Sequence, residues 1–422
     1  MIDLVRAVLG GVAPDWLIAL IAYVITLTLV LIAAPATMMM QVWFERRVIA
    51  RMQDRVGPNR VGPAGLLQSV ADGVKMFTKE DIVPKAADRW IHLLAPIIAL
   101  APVMLMFAVI PWARGAVPTD VNIAALFVVA VTSVSAVGLM MAGWGSNNKF
   151  ALLGAMRAVA QMISYEIPAV LTLLAIVLLN GTMSLAKIIE AQAGLPFVGT
   201  RLGGWDLGLG WHIFTPVGFL GGLIFFICVL AEGERTPFDI PEADSEIVAG
   251  YMTEYSGMKF ALFYLAQFVL NFALSMITAI LFLGGWQGPG VAWLVGLGGV
   301  GVTLGGLLSL VYLQLKAWAL FFVMVWLRGA FPRLRMDQLM SFAWKFLVPL
   351  ALVNVFSAAL WVVFITWGEA QDIAPLDALG ALPRFVLAFG LTLLLNAGAF
   401  VWLAWINSRA ERPAVQEAAA AV

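Results

Sequence analysis

The sequence is poor in side chains that hold metals. It has one cysteine, Cys228, and two histidines, His92 and His212, in 422 residues. Cysteine and histidine this far apart cannot assemble a zinc or iron–sulfur ligand set. Charge is scarce too: 12% of residues are charged, and 25 basic side chains balance 25 acidic ones. Zero net charge gives no case for nucleic-acid binding. The start of the chain lacks a basic stretch followed by a short apolar core and a small-residue cleavage site, so no removable signal peptide is expected. No pattern of spans repeats between the two halves, which leaves an inverted-repeat transporter architecture without support.

What is abundant is apolar length. Hydrophobic residues make up 62% of the chain, with 26 Phe and 16 Trp, and mean hydropathy is +0.95. These values predict an all-α polytopic membrane protein. A span needs about 20 apolar residues. Nine stretches qualify: 16–44, 90–112, 121–143, 158–180, 213–231, 259–283, 302–327, 346–367 and 384–406. They are expected to form one transmembrane domain over 1–406, with span nine at its periphery and a disordered cytoplasmic tail over 407–422. With the N-terminus outside, cytoplasmic segments hold 19 of the 25 Lys and Arg and outer segments hold five, Lys316 lying within a span. That asymmetry predicts an outer N-terminus and a cytoplasmic C-terminus. Cys228, in an apolar run, reads as a buried small hydrophobe.

Against this background one stretch stands out. Residues 231–255 hold Glu232, Glu234, Asp239, Glu242, Asp244, Glu246 and Glu254, seven of the 25 carboxylates. Crowded like charges are costly unless protonated or paired. Pro237 and Pro241, with Phe238, Tyr251 and Tyr255, supply rigid turns and apolar anchors that a plain solvated loop does not need.

Other polar residues sit where hydrocarbon would penalise them. The first connection, 45–89, places Arg47, Arg51 and Arg55 on one helical stripe, breaks at Arg55-Val-Gly-Pro-Asn-Arg-Val-Gly-Pro63, and resumes as a helix over 63–79. That helix has Leu67, Val70, Val74 and Phe77 on one face and Asp72, Lys75 and Lys79 on another. It reads as an interfacial amphipathic helix whose charged face also suits a soluble partner or a cavity wall. In span four Glu166 lies nine residues, about 14 Å, beyond Arg157. A carboxylate there faces a hydrated interior or a partner, and Pro168 beside it frees the carbonyl of Ser164. In span six Gln267 and Asn271 share a face as polar glue between helices. In span seven Lys316 lies about 18 Å from Arg328 and needs a partner or a depressed pKa, with Glu166 at a compatible depth. Arg328, Arg333 and Arg335 then open a basic loop that suits either lipid headgroups or the acidic loop.

Five segments together resemble the quinone-chamber subunit of respiratory complex I, the H (or 1) subunit family of NADH–quinone oxidoreductase. They are E-R-R-V-I-A-R-M-Q-D-R-V-G-P-N-R-V-G-P from Glu45, Q-S-V-A-D-G-V-K-M-F-T-K-E from Gln68, L-G-A-M-R-A-V-A-Q-M-I-S-Y-E ending at Glu166, the acidic loop, and R-G-A-F-P-R-L-R-M-D-Q-L-M from Arg328. The match runs in order from about residue 16 to 365. The resemblance implies a cytoplasmic-side quinone cavity and a chain of charged residues leading from it into the membrane. It implies a bacterial inner-membrane location and complex I partners: soluble quinone-module subunits, small membrane subunits and antiporter-like subunits. FMN and iron–sulfur clusters would lie in those partners, quinone would be the substrate, and this chain would hold no cofactor or metal of its own.

Carried over by position, Glu45, Arg46, Phe238, Arg328 and Arg333 are the expected quinone-side residues. Asp72, Lys75, Lys79, Arg157, Glu166, Glu232, Glu234, Arg235, Asp239, Glu242, Asp244, Glu246, Glu254 and Lys316 are the expected proton-coupling residues; Arg335 and Asp337 match the last motif. Three departures stand out. Gly233-Glu234 replaces the family's Thr-Asn, Met336 replaces Tyr, and Gln267-Phe268 replaces Glu-Tyr in span six. A glutamine cannot titrate, so that position is either dispensable or replaced by Glu166, Glu234 and water. The related subunit of a membrane-bound hydrogenase or formate hydrogenlyase stays open as an alternative. So do a secondary transporter using Glu166 and Lys316, and a structural anchor.

Overall fold

The computed structural model describes residues 14–194, 208–241, 247–297, 300–367 and 381–420. The protein is all-α, and no strand occurs among these residues. Its main helices are α1 (Asp15–Met52), α2 (Gln68–Thr78), α3 (Arg89–Val109), α4 (Ala124–Gly145), α5 (Lys149–Asn180), α6 (Leu185–Ala191), α7 (Pro216–Glu232) and α8 (Gly257–Phe282). They continue with α9 (Val291–Gly296), α10 (Val300–Ala330), α11 (Met336–Phe342), α12 (Val348–Val362) and α13 (Ala381–Ala420). Among the described residues seven helical stretches are long and apolar enough to cross a membrane: α3, α4, α5, α8, Gly301–Ala330, Met336–Ile365 and Pro383–Ser408. Of the two other expected spans, 213–231 forms the shorter apolar helix α7, and 16–44 lies within α1.

Helix boundaries follow local chemistry. Asp88 caps α3 by accepting from Trp90 N and Ile91 N, and Asn148 caps α5 by accepting from Phe150 N. Gly181, at φ +62°, ends α5 in the left-handed conformation glycine tolerates. Thr215 caps α7 with Pro216 at its first position. The expected helix over 63–79 begins as a 3₁₀ turn, Pro63–Gly65, and becomes α-helical at Gln68.

The core is built around α8. The most apolar stretch of that helix is 89% buried, against 22% for Pro383–Ser408, which places span nine on the outside. α13 packs on α12 and α7, where Asn396 Oδ1 accepts from Ser357 Oγ at 2.8 Å. Phe44 of α1 meets Trp318 of α10 edge to face at 5.6 Å, which seats the following residue, Glu45, in the protein interior. α2 crosses α1, with Ser69 Oγ donating to Met39 O at 2.9 Å. Val70, Val74 and Phe77 of α2 stay exposed, the arrangement expected of a helix whose apolar face meets lipid.

Side chains from the spans fix the path of the acidic loop. Gln161 Nε2 of α5 donates to Ala231 O and Phe238 O, both at 2.7 Å. Asn271 Nδ2 of α8 donates to Gly233 O at 3.1 Å. A Cβ on Gly233 would lie 1.9 Å from Asn271 Oδ1, so any larger residue displaces the Asn271 amide. Gly233→Ala is expected to cost about 1–3 kcal/mol by overpacking, read as a lower thermal midpoint in detergent. Adding Asn271→Ala opens the space and should recover part of the loss.

Candidate functional site

The three expected connections meet at one end of the bundle. Glu45, on α1, is 4% exposed and accepts from two arginines. Arg235 Nη1 of the acidic loop reaches its Oε2 at 2.8 Å, and Arg328 Nη1 at the end of α10 reaches its Oε1. Arg333 Nη2 pairs with Asp239 Oδ2 at 3.2 Å, and Leu334 N donates to Pro237 O at 3.1 Å. Ser256 Oγ bonds Ile82 N and Lys259 pairs with Asp81, joining the end of the acidic loop to the first connection.

Burial gives this cluster its strength. Arg235 is 4% exposed, and its guanidinium lies 4.3 Å from the centroid of Phe268. A buried charge is tolerated only when paired and hydrogen-bonded, and Glu45 supplies the pairing. Yet Arg235 Nε and Nη2 and Asp239 Oδ1 are buried and find no partner among the described residues. Among the described residues these donors and this acceptor are left for a group from outside them. Burial pushes the Asp239 carboxyl above its ordinary range, against the opposing pull of Arg333, Arg328 and Arg235. Phe238 is buried against Tyr165 at 5.3 Å, and Tyr165 Oη donates to Leu339 O at 3.0 Å.

From the cluster, carboxylates lead toward the core. Glu234 is 5% exposed and its Oε2 accepts from Tyr251 Oη at 3.0 Å. A cavity of about 30 Å³ is lined by Glu232, Glu234, Tyr251, Ser135 and Gln267. A second, also about 30 Å³, is lined by Glu232, Glu166, Thr132, Leu274 and Ile277. Glu232 stands in both walls. A water needs roughly 10–15 Å³ by this measure and two to four polar partners, so each cavity has room for one. Glu166, half-buried, accepts from Ser133 Oγ of α4. Ser133 is itself exposed, so this carboxylate lies near the outer surface of the α4–α5 pair.

The remaining expected residues fall elsewhere. Arg46 Nη1 pairs with Asp72 Oδ2 at 2.6 Å, and Lys75 lies 3.8 Å from Asp72 Oδ1. These fasten α2 to α1 on the exposed side, and Lys79 is exposed at the end of α2. Glu254 Oε1 accepts from Asn148 Nδ2 at 2.7 Å beside an open groove. Arg157 stands half-buried on α5. Glu242, Asp244 and Glu246 lie outside the described residues. Lys316 makes no ion pair with Glu166; its ammonium meets three backbone carbonyls at the other end of α8. Gln161, Ser133 and Thr132 belong to the site without standing out in the sequence, and Tyr251, expected as an apolar anchor, also donates a hydrogen bond. Their one available signal is a polar side chain inside or beside an apolar run. Among the described residues no group of three or more His, Cys, Asp or Glu is placed to hold a metal ion.

Known proteins share this pattern over most of the chain. A family model described as NADH dehydrogenase matches residues 24–359. The H subunit of NADH-quinone oxidoreductase from Dehalococcoides mccartyi (strain CBDB1) is 44% identical over 358 residues, 84% of this chain and 89% of the relative. The corresponding protein of Chlorobaculum parvum (strain DSM 263 / NCIMB 8327) is 44% identical over 359 residues, 84% of this chain and 96% of the relative. That of Koribacter versatilis (strain Ellin345), numbered 2 in its organism, is 40% identical over 374 residues, 84% of this chain and 99% of the relative. With most of its length matched and Glu45, Arg235, Asp239, Arg328 and Arg333 gathered at one end of a helical membrane bundle, the chain belongs to the NADH dehydrogenase family.

Proposed function

We propose that the chain is the membrane subunit of a proton-translocating NADH–quinone oxidoreductase that forms the membrane side of the quinone cavity. The observation that carries this reading is Arg235: a buried arginine, paired to Glu45, with two further donor atoms unmatched beside Phe268. A quinone carbonyl is an acceptor, and its reduction places negative charge on that oxygen. Preorganised buried donors favour such charge. Soluble quinone-module subunits complete the cavity and hold the FMN and iron–sulfur clusters that deliver electrons. Quinone enters from the bilayer of a bacterial inner membrane, past the apolar face of α2.

Charge on the bound quinone is felt first by Asp239 and Arg235, then by Glu234, Glu232 and Glu166. The two cavities sharing Glu232 give protons a water-sized step on either side of it. Glu234, the carboxylate this chain adds, lines the same cavity as Gln267, where the resembling family carries its acid. It therefore takes over that position's duty. Glu166, near the outer surface beside exposed Ser133, hands the change to a neighbouring small or antiporter-like membrane subunit, because a carboxylate at that depth does not face lipid.

Glu232→Gln in the assembled complex tests the relay. The amide keeps the shape and loses the titrating group. Proton pumping per NADH oxidised is expected to fall, because a positioned proton-transfer group speeds its step by about 10²–10⁴-fold. Unchanged pumping together with unchanged quinone reduction would remove Glu232 from any proton role.

A further inference from the structure

At the opposite end of α8 from Gly233, the helix stops at Phe282 and the chain continues as Leu283-Gly-Gly-Trp-Gln-Gly-Pro-Gly290. Asn271, which holds Gly233, is separated from Leu283 by about 18 Å of helix. The turn is possible because its glycines adopt what other residues avoid: Gly284 has φ +74° and Gly285 φ +50°. A Cβ on Gly284 would lie 2.4 Å from Trp211, and one on Gly285 would lie 2.8 Å from Ile189. Folded this tightly, the turn brings the carbonyls of Leu283, Gly285 and Gln287 to one point.

Lys316 Nζ occupies that point, at 2.6 Å, 2.9 Å and 2.7 Å from the three oxygens. The Trp211 ring lies 4.2 Å from the same nitrogen, and Lys316 is 7% exposed. An ammonium has three N–H donors, and here each finds a carbonyl. A neutral amine offers only two, so losing a proton would turn its lone pair toward a buried carbonyl and leave that acceptor unsatisfied. Leu283 is the residue that closes α8, so the ammonium on its carbonyl also sits at the negative end of that helix's dipole, which favours a cation. A proton carrier has to release and rebind; this site resists release.

We propose that Lys316 is a fixed cation sealing the far end of the acid-lined core against protons. The cavity holding Glu166 and Glu232 reaches Ile277 of α8. Beyond it, Ile280 O accepts from buried Gln192 Nε2 at 2.9 Å, and the Lys316 turn follows. Tyr312, one turn before Lys316 on α10, pins the same segment through Pro289 O at 3.0 Å. A positive charge cradled by three carbonyls in a low-dielectric wall repels an arriving proton, as cationic groups do in pores that exclude protons. The seal matters because of the reading that Glu232 and Glu166 exchange protons, and rests on it.

The test uses sealed inverted membrane vesicles carrying the assembled complex, without NADH. A pH step is imposed and its passive decay followed with a pH-sensitive dye. Vesicles lacking the complex give the background. Lys316→Gln is expected to speed the decay several-fold over the wild-type complex, and Lys316→Arg, which keeps the charge, to restore it. Tyr312→Phe frees the turn while keeping the cation and is expected to give an intermediate decay. Wild-type decay in assembled Lys316→Gln overturns the proposal. So does lost NADH-driven pumping with unchanged passive decay, the signature of a carrier. If Lys316→Gln does not assemble, wild-type decay in Tyr312→Phe overturns it equally. Because no turnover occurs, failure here is separate from failure of the quinone reading, which the Glu232 variant addresses.

Discussion

Glu45→Ala is expected to abolish NADH:quinone reductase activity and to lower the amount of assembled complex. The carboxylate is 4% exposed and is the one group that receives both Arg235 and Arg328. Removing it leaves the Arg235 guanidinium buried beside the Phe268 ring without its ion-pair partner. Stripping one partner from a buried pair costs about 3–5 kcal/mol, a large share of the 5–15 kcal/mol that typically stabilises a domain. Arg328 contributes less to the penalty because a third of its side chain reaches solvent. A second variant separates structure from function. Glu45→Gln with Arg235→Met replaces the buried pair with groups of similar size and no net charge, a change that is often neutral for stability. Native-gel abundance and thermal midpoint should return toward wild type, while quinone reduction stays at least about tenfold low, since the donors to the reduced oxygen are gone. Recovery of both properties together would mean that the cluster is purely structural.

The architecture was legible because hydrocarbon demands long apolar runs and leaves few alternatives to helices. Seven expected spans recur as long apolar helices, while 16–44 falls within α1 and most of 213–231 forms α7. The convergence of Glu45, Arg235, Arg328, Asp239 and Arg333 was legible only as a set of unsatisfied charges: each needed a partner, and sequence separations from 94 to 283 residues hid which one. Asn271 was readable as interhelical glue, but not as the residue that dictates glycine at 233. Lys316 shows the limit most clearly. Its depth along α10 was countable, and Glu166 was the acid at a matching depth. Depth says nothing of azimuth, though, and the partners proved to be backbone carbonyls. Carbonyls carry no residue-type signature; the only trace in the sequence was the glycine-rich turn after α8, whose positive φ angles aim them.

Glu234→Gln is expected to slow proton pumping by about a hundredfold or more, the scale on which a positioned proton-transfer group contributes, and Gln267→Glu added to it should restore most of the loss. The two positions face one cavity of about 30 Å³, with Glu232 in the same wall. A proton step through that space needs a titrating group beside Glu232, and either wall can supply it. The single variant keeps the bond to Tyr251: a glutamine oxygen still accepts from Tyr251 Oη, as Glu234 Oε2 does at 3.0 Å. Glutamate at 267 enters a site that Gln267 already fills with a side chain of nearly the same volume. Gln267→Glu alone places three carboxylates around one small space, where like charges disfavour joint ionisation and the group titrates as a unit. Its pumping should therefore shift in pH dependence without being lost. The readouts are dye-monitored pumping in inverted vesicles and NADH oxidation in the same preparation, so that uncoupling is separated from slowed electron transfer. If Gln267→Glu fails to rescue while both variants assemble, the two positions do not serve the same proton step, and Glu234 acts through the cluster around Arg235 instead.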